Sequence, residues 1–277
     1  MNFFYDNVLL YSQSAERIYQ EVKDLPIIDY HCHLDQNKIR EDAKFSDIGE
    51  LWLSGDHYKW RAMRLCGVDE SCITGKASFH DKFIRYAEIV PALAGNPLYY
   101  WTHLELNQVF GIDEPLDGES AERIWAAANE RLKNISVLTL LCQYKVEYVA
   151  TTDDPCDDLS AHGKYGNTVV APTFRPDKLL KFEDTYLQKL SKTVGYGIAT
   201  LADLLRAAEE RLQYFVSRGC KISDHGFLRF PEKICAKVGG GKPVCKKEHP
   251  FGNGKGKPVR NCPRRACKTF STVSYPH

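Results

Sequence analysis

Apolar positions recur at two different spacings along this chain. Between residues 14 and 25, Ile18, Val22 and Leu25 stand at helical spacing, and the run that follows, Pro26-Ile27-Ile28-Asp29-Tyr30, is short, continuous and apolar like a buried strand. From about 37 to 118 the chain is rich in Trp, Tyr and Leu with no strand-like run, which predicts a largely helical insertion. Ser120 is placed to cap a helix carrying Ile124, Ala128, Leu132, Ile135, Leu138 and Leu141 along one side. Strands are predicted at Val146–Ala150, ending in Thr151-Thr152-Asp153-Asp154-Pro155, and at Thr168–Ala171, ending in Pro172-Thr173-Phe174-Arg175-Pro176. Thr200 with Asp203 reads as a capping box for a helix whose stripe is Leu201, Leu204, Leu205, Ala208, Leu212, Phe215 and Val216, closed by Gly219. Cys220–Ser223 is a last strand, running into Asp224-His225. Strand and helix alternate, with polar residues gathered at strand ends. That is the pattern of an α/β barrel, although an open doubly wound sheet shares it.

Those strand ends carry the candidate chemistry. His31 and His33 are one residue apart at the exit of the first strand, where alternate side chains leave on the same side, so both imidazoles can reach one metal ion. Cys32 between them faces the other way and is predicted to pack. The segment Trp52–Arg64 holds Asp56, His57, Tyr58, Lys59, Arg61 and Arg64, a density of hydroxyl- and carboxylate-binding groups suited to an anionic, hydroxyl-rich small molecule. An amphipathic surface helix would explain it too. Asp153 and Asp154 can serve a cation or a proton transfer, or start a turn before Pro155. Arg175 can clamp a carboxylate or form a surface ion pair, and His225 is a general base, a third metal ligand, or a histidine bonded to Asp224.

Composition changes the picture at one place. The 277 residues are 43% hydrophobic and 26% charged, ordinary for a folded protein, and the net charge is +1. Residues 231–277, however, hold 11 Lys and Arg against two Asp and Glu, with six Gly, six Pro and four Cys, while residues 1–230 hold 26 basic against 34 acidic residues. A folded acidic part is therefore followed by a basic tail without apolar periodicity, read as disordered or out of frame. No apolar run reaches the ~20 residues of a membrane span, and Asp6 interrupts the first apolar stretch, so a cytoplasmic protein with reduced thiols is expected.

Five motifs in order, Asp29-Tyr30-His31-Cys32-His33, Asp56-His57-Tyr58-Lys59-Trp60-Arg61, Thr152-Asp153-Asp154-Pro155, Phe174-Arg175-Pro176-Asp177 and Ser223-Asp224-His225-Gly226, resemble those of uronate (glucuronate) isomerases of the amidohydrolase superfamily. The resemblance covers residues 1–230. It implies an α/β fold, a metal-dependent-hydrolase-type (β/α)8 barrel with a helical insertion after the first strand, here incomplete. It implies a divalent metal, usually zinc, held by His31 and His33; a catalytic His57 and Tyr58; and substrate contacts from Arg175, Asp153 and His225. The implied reaction is aldose–ketose isomerisation of hexuronic acids, D-glucuronate to D-fructuronate and D-galacturonate to D-tagaturonate, with a uronate as the small-molecule partner, no membrane, and an oligomer of identical chains allowed.

Past about residue 230 the likeness stops, and with it an aspartate that completes the metal site in the family. Weak metal retention and little or no activity are the expectation for this chain as written, with a shifted reading frame as the simplest source of the tail. Two other classes stay open. A hydrolase of the same superfamily would share the His-x-His pair, and a tail with Cys235, Cys245, Cys262, Cys267 and His249 would bind zinc or nucleic acid, against which stand cysteine spacings of nine, sixteen and four residues with no close pair.

Overall fold

A computed structural model describes residues 10–226, which form two compact units. The tail and its cysteines lie outside the described residues. One unit comprises residues up to 27 together with 37–146, and the other residues 28–36 together with those from 147 on.

The first unit is helical, as the missing strand pattern predicts. Its helices are α1 (Gln13–Val22), α2 (Gln36–Arg40, its first residue belonging to the other unit), α3 (Ile48–Leu53), α4 (His57–Leu65), α5 (Phe79–Ile89), α6 (Pro97–Phe110), α7 (Ala121–Leu132) and α8 (Val137–Gln143). Side-chain caps start several of them. Asp47 accepts from the Glu50 N–H, Asp56 from those of Tyr58 and Lys59, Ser78 from Asp81, and Asn96 from Leu98 ahead of Pro97. Ile48, Met63, Phe83, Tyr86, Leu106, Phe110 and Ile124 are fully buried in its core. Gly49 is needed there, since a Cβ would fall 2.4 Å from the Phe79 carbonyl oxygen. The helix predicted from Ser120 through Leu141 is two helices. The Ser120 hydroxyl is spent on Pro115 O and gives α7 no cap, while Ser136 caps α8 by accepting from Thr139 N–H, which resets the chain between Lys133 and Ser136. Along α1 no residue is buried, and the helix ends at Val22, short of Leu25.

The second unit holds a five-stranded sheet: β1 (Ile27–Asp29), β2 (Val146–Asp153), β3 (Gly163–Tyr165), β4 (Thr168–Phe174) and β5 (Ile222–Ser223). The order is β1-β2-β4-β3, with β5 also on β4. β2 and β4 run parallel with Ala150 opposite Ala171 and Asp153 opposite Phe174, and β4 and β5 run parallel with Phe174 opposite Ser223. β3 returns antiparallel on the first half of β4 through the turn at Gly166, where φ is +57°. Two helices, α9 (Asp184–Val194) and α10 (Leu201–Ser217), complete it. α10 starts on the predicted capping box: Thr200 Oγ1 accepts from the Asp203 N–H, and Asp203 accepts from that of Thr200. Its Leu204, Ala207, Ala208, Leu212 and Phe215 are buried, and Phe215 meets Phe174 edge to face, ring centres 5.0 Å apart. Phe174 is thereby fixed one residue before Arg175. The parallel strands with helices form an arc of a barrel and leave it unclosed.

Candidate active site

The first strand is shorter than the sequence suggests, and both histidines follow it. β1 ends at Asp29, yet the chain stays against β2, because Cys32 N–H donates to Ala150 O and Thr152 Oγ1 donates to Cys32 O. Cys32 is held inward as predicted, and burial pushes its thiol up to about 11. His31 and His33, on either side, are exposed with ring centres 5.0 Å apart and planes at 89°. Two imidazoles bound to one tetrahedral ion through nitrogens at about 2.0–2.1 Å have centres about 5 Å apart, so the spacing suits a shared cation.

At the ends of β4 and β5 nitrogen-bearing and carboxylate side chains alternate. His31 Nδ1 lies 2.9 Å from Asp224 Oδ2; Asp224 Oδ1 lies 3.7 Å from Arg175 Nε; Arg175 Nε donates to Asp177 Oδ2 at 3.0 Å; and Asp177 Oδ1 lies 3.7 Å from His225 Nδ1. Asp177 also accepts from the Gly226 N–H at 2.8 Å. The outer oxygens of Asp177 and Asp224 are buried and accept no hydrogen bond. Strand exits explain the gathering. Arg175 N–H donates to Asp153 O at the end of the β2–β4 ladder, and Asp224 N–H to Phe174 O at the end of β4–β5.

Asp153, read as a substrate contact, is turned inward instead, with 2% of its side chain exposed. It accepts from the Thr151 hydroxyl at 2.7 Å and from the Thr173 N–H at 3.2 Å, and His162 Nε2 lies 3.3 Å away. His162 Nε2 also meets Thr151 Oγ1 at 2.8 Å, and its Nδ1 is buried without a partner. The physical reason is register: alternate residues of β2 face the interior, and Thr151 and Asp153 share that side. Asp154 takes the turn role. It accepts from Cys156 N–H and Tyr186 OH, pairs with Lys178 at 3.0 Å, and these contacts outweigh its burial and hold its carboxyl below the usual range. Arg211 of α10 braces that turn by donating to Pro155 O and Asp157 O, both at 2.6 Å.

His57 and Tyr58 belong to the helical unit. They occupy the first turn of α4, both exposed, with rings 4.4 Å apart and Arg61 over Tyr58 at 5.8 Å. Of the three bases in this segment, two are spent inside the unit. Arg64 donates to both oxygens of Glu70, and Lys59, its side chain 6% exposed, donates to Asp56 at 2.9 Å with Glu105 3.9 Å away. Burial alone would lower the Lys59 pKa; Glu105, Tyr86 and Asp56 reverse the sign and hold it above the ordinary lysine value. The net effect is a pinned first turn.

Comparisons with known proteins fit this arrangement. A family model described as glucuronate isomerase matches residues 1–239, past the composition change at 230. The chain belongs to the glucuronate isomerase family. A uronate isomerase of Shouchella clausii (strain KSM-K16) is 45% identical over 241 residues, covering 83% of this chain and 51% of that protein, and one of Oceanobacillus iheyensis is 46% identical over 235 residues. Among solved structures, the uronate isomerase of Thermotoga maritima superposes with a TM-score of 0.78 at 37% identity, covering 80% of this chain and 51% of that one. The glucuronate isomerase of Caulobacter crescentus gives 0.74 at 26% identity. The chain thus spans about half the length of the uronate isomerases it matches, and the incomplete barrel of this glucuronate isomerase family member is the fold those structures share. The metal-dependent character of such barrels suits the two imidazoles, which fit a divalent cation in kind and supply two donors. Among the described residues no three His, Cys, Asp or Glu side chains converge to enclose an ion. No helix among them is long and apolar enough to cross a membrane.

The sequence offers Asp224 only as a partner for His225 and gives Asp177 no role, whereas Asp224 meets His31 and His225 lies beside Asp177. Asp177 takes Arg175 two residues before it, whereas its contacts to His225 and Gly226, and those of Asp224 to His31 and Arg175, cross between strand ends that no local pattern joins.

Proposed function

We propose that this chain supplies one half of a hexuronate aldose–ketose isomerase, acting on D-glucuronate or D-galacturonate. The observation that carries it is the strand-end array in which Asp224 and Asp177 hold His31 and Arg175, with the His33 ring 5.0 Å from that of His31. Isomerisation takes a proton from C2 and delivers one to C1, with negative charge building on oxygen in an enediolate. Arg175, kept in place by Asp177, offers its outer guanidinium nitrogens to the uronate carboxylate, and His225 beside it bonds a substrate hydroxyl. Tyr58 and His57 would carry hydroxyl protons between O1 and O2. His31 and His33 would hold a divalent cation, for which we propose zinc, and its chemistry when bound is to stabilise the oxyanion. Two protein donors are one short of a usual catalytic zinc site, so retention of the ion by this chain is weak and its activity alone is low. Unpaired thiols at six cysteines from Cys32 to Cys220 support a reducing, cytoplasmic setting.

The test is a chimera in which residues 1–226 replace the matching half of the Shouchella clausii relative. Conversion of galacturonate or glucuronate to a ketouronate is the expected result. A folded chimera that leaves both uronates unchanged, or that hydrolyses a cyclic amide instead, overturns the reading.

A further inference from the structure

We propose that Asp224 is a positioning residue that fixes the tautomer of His31, keeping its proton on Nδ1 so that Nε2 is the nitrogen presented to a cation. The inference rests on the metal reading of the His31/His33 pair and deepens it.

An imidazole free in solution exchanges its proton between the two nitrogens, and only the unprotonated one can bind a metal. At His31 the surroundings are unequal. Nδ1 lies 2.9 Å from Asp224 Oδ2, hydrogen-bond length for N–H to carboxylate, whereas a proton on Nε2 would leave Nδ1 as a lone pair facing a negative oxygen. The backbone is restrained as well, because His31 N–H donates to Asp29 Oδ1 at 3.2 Å and Cys32 N–H is tied to β2.

Asp224 is itself held on two sides. Its N–H donates to Phe174 O, which places it one step beyond β5, and its other oxygen is buried 3.7 Å from Arg175 Nε. Asp177 draws the same Nε more closely, at 3.0 Å, so Arg175 screens the Asp224 charge without competing for the oxygen that His31 uses. One carboxylate therefore links the candidate metal ligand to the candidate substrate arginine.

The experiment uses the full chain with ¹⁵N-labelled histidine. Two-bond proton–nitrogen spectra at pH 8 read each tautomer, the His31 signals being assigned by their absence in H31Q, and cobalt(II) titration followed by absorbance reads affinity. Wild type is expected to show His31 as the Nδ1–H form. D224A is expected to mix the two forms and to bind cobalt at least tenfold more weakly, as loss of such partners does. D224N, which keeps an acceptor oxygen, should restore the Nδ1–H form. An Nε2–H His31 in the wild type overturns the proposal whatever the variants do, and so does D224A with tautomer and cobalt affinity unchanged. Failure of the metal reading itself looks different: the H31Q/H33Q double variant would bind cobalt as tightly as wild type while the metal-free tautomer result stood.

Discussion

Replacing Asp153 by alanine separates the two roles that its place at a strand end allows. A substrate-binding carboxylate can be removed with little effect on folding. The buried carboxylate seen here cannot. Its loss leaves the Thr173 N–H without its acceptor, removes the Thr151 hydroxyl's 2.7 Å contact, and takes away the charge 3.3 Å from His162. Thr151 retains Ala171 O at 3.3 Å as a fallback, so the cost is concentrated on Thr173 and His162. An orphaned buried donor costs about 1–3 kcal/mol, and D153A orphans the Thr173 N–H and strips His162 Nε2 of one neighbour while leaving it Thr151, so it should lose about 2–4 kcal/mol in all. Set against a domain stability of about 5–15 kcal/mol, that is a large share. Urea unfolding followed by far-UV circular dichroism measures the total, and hydrogen exchange at the Thr173 amide reports locally, where exchange should accelerate. D153N, isosteric and still able to accept one bond, should fall between. A D153A protein less than about 1 kcal/mol weaker than wild type, with Thr173 exchange unchanged, would refute the argument.

Three further outcomes follow from the other unit and from the thiols. K59M leaves the half-buried Asp56 and Glu105 without their cation and should cost about 1–3 kcal/mol, the worth of a hydrogen bond to a charged group, read by fluorescence of Trp52, Trp60, Trp101 and Trp125, all in the helical unit; a loss within experimental error refutes it. His103 donates from Nδ1 to Tyr99 O and accepts the Leu116 N–H at Nε2, and burial lowers its pKa, so the unfolded chain takes up the proton first. Stability of that unit should therefore fall as pH drops below the ordinary histidine value of about 6.5, with the urea midpoint lower at pH 5.5 than at 7.5 and the difference reduced in H103Q. Cys32, with its thiol raised to about 11 by burial, should alkylate with iodoacetamide at pH 8 far more slowly than exposed Cys66, as peptide mass spectrometry would show; equal rates would contradict its packing against β2.

The positions of four of the strands, the helical insertion and the polar residues at the strand ends were legible because each leaves a local mark: an apolar run closed by polar residues, a capping pair such as Thr200 and Asp203, or a His-x-His spacing. What escaped was set by distant partners. α9 is marked only by Leu187, Leu190 and the αL glycine at 195, and β3 by three residues of no clear pattern. The burial of Asp153 is not announced at the strand end, because its neighbour His162 lies beyond a turn that sequence spacing does not orient. The bases of the His57–Tyr58 segment looked available for an anion for the same reason: Glu105, the acid that helps to hold Lys59, is 46 residues away.

The contact between His31 and Asp224 also measures curvature. Their strands stand three places apart in the sheet, about 14 Å if it lay flat. A histidine and an aspartate touching at 2.9 Å bridge about 10 Å at most between backbones. The arc has therefore already bent inward at its polar rim, so that any polypeptide completing the ring would meet a mouth whose radius these strands have fixed beforehand.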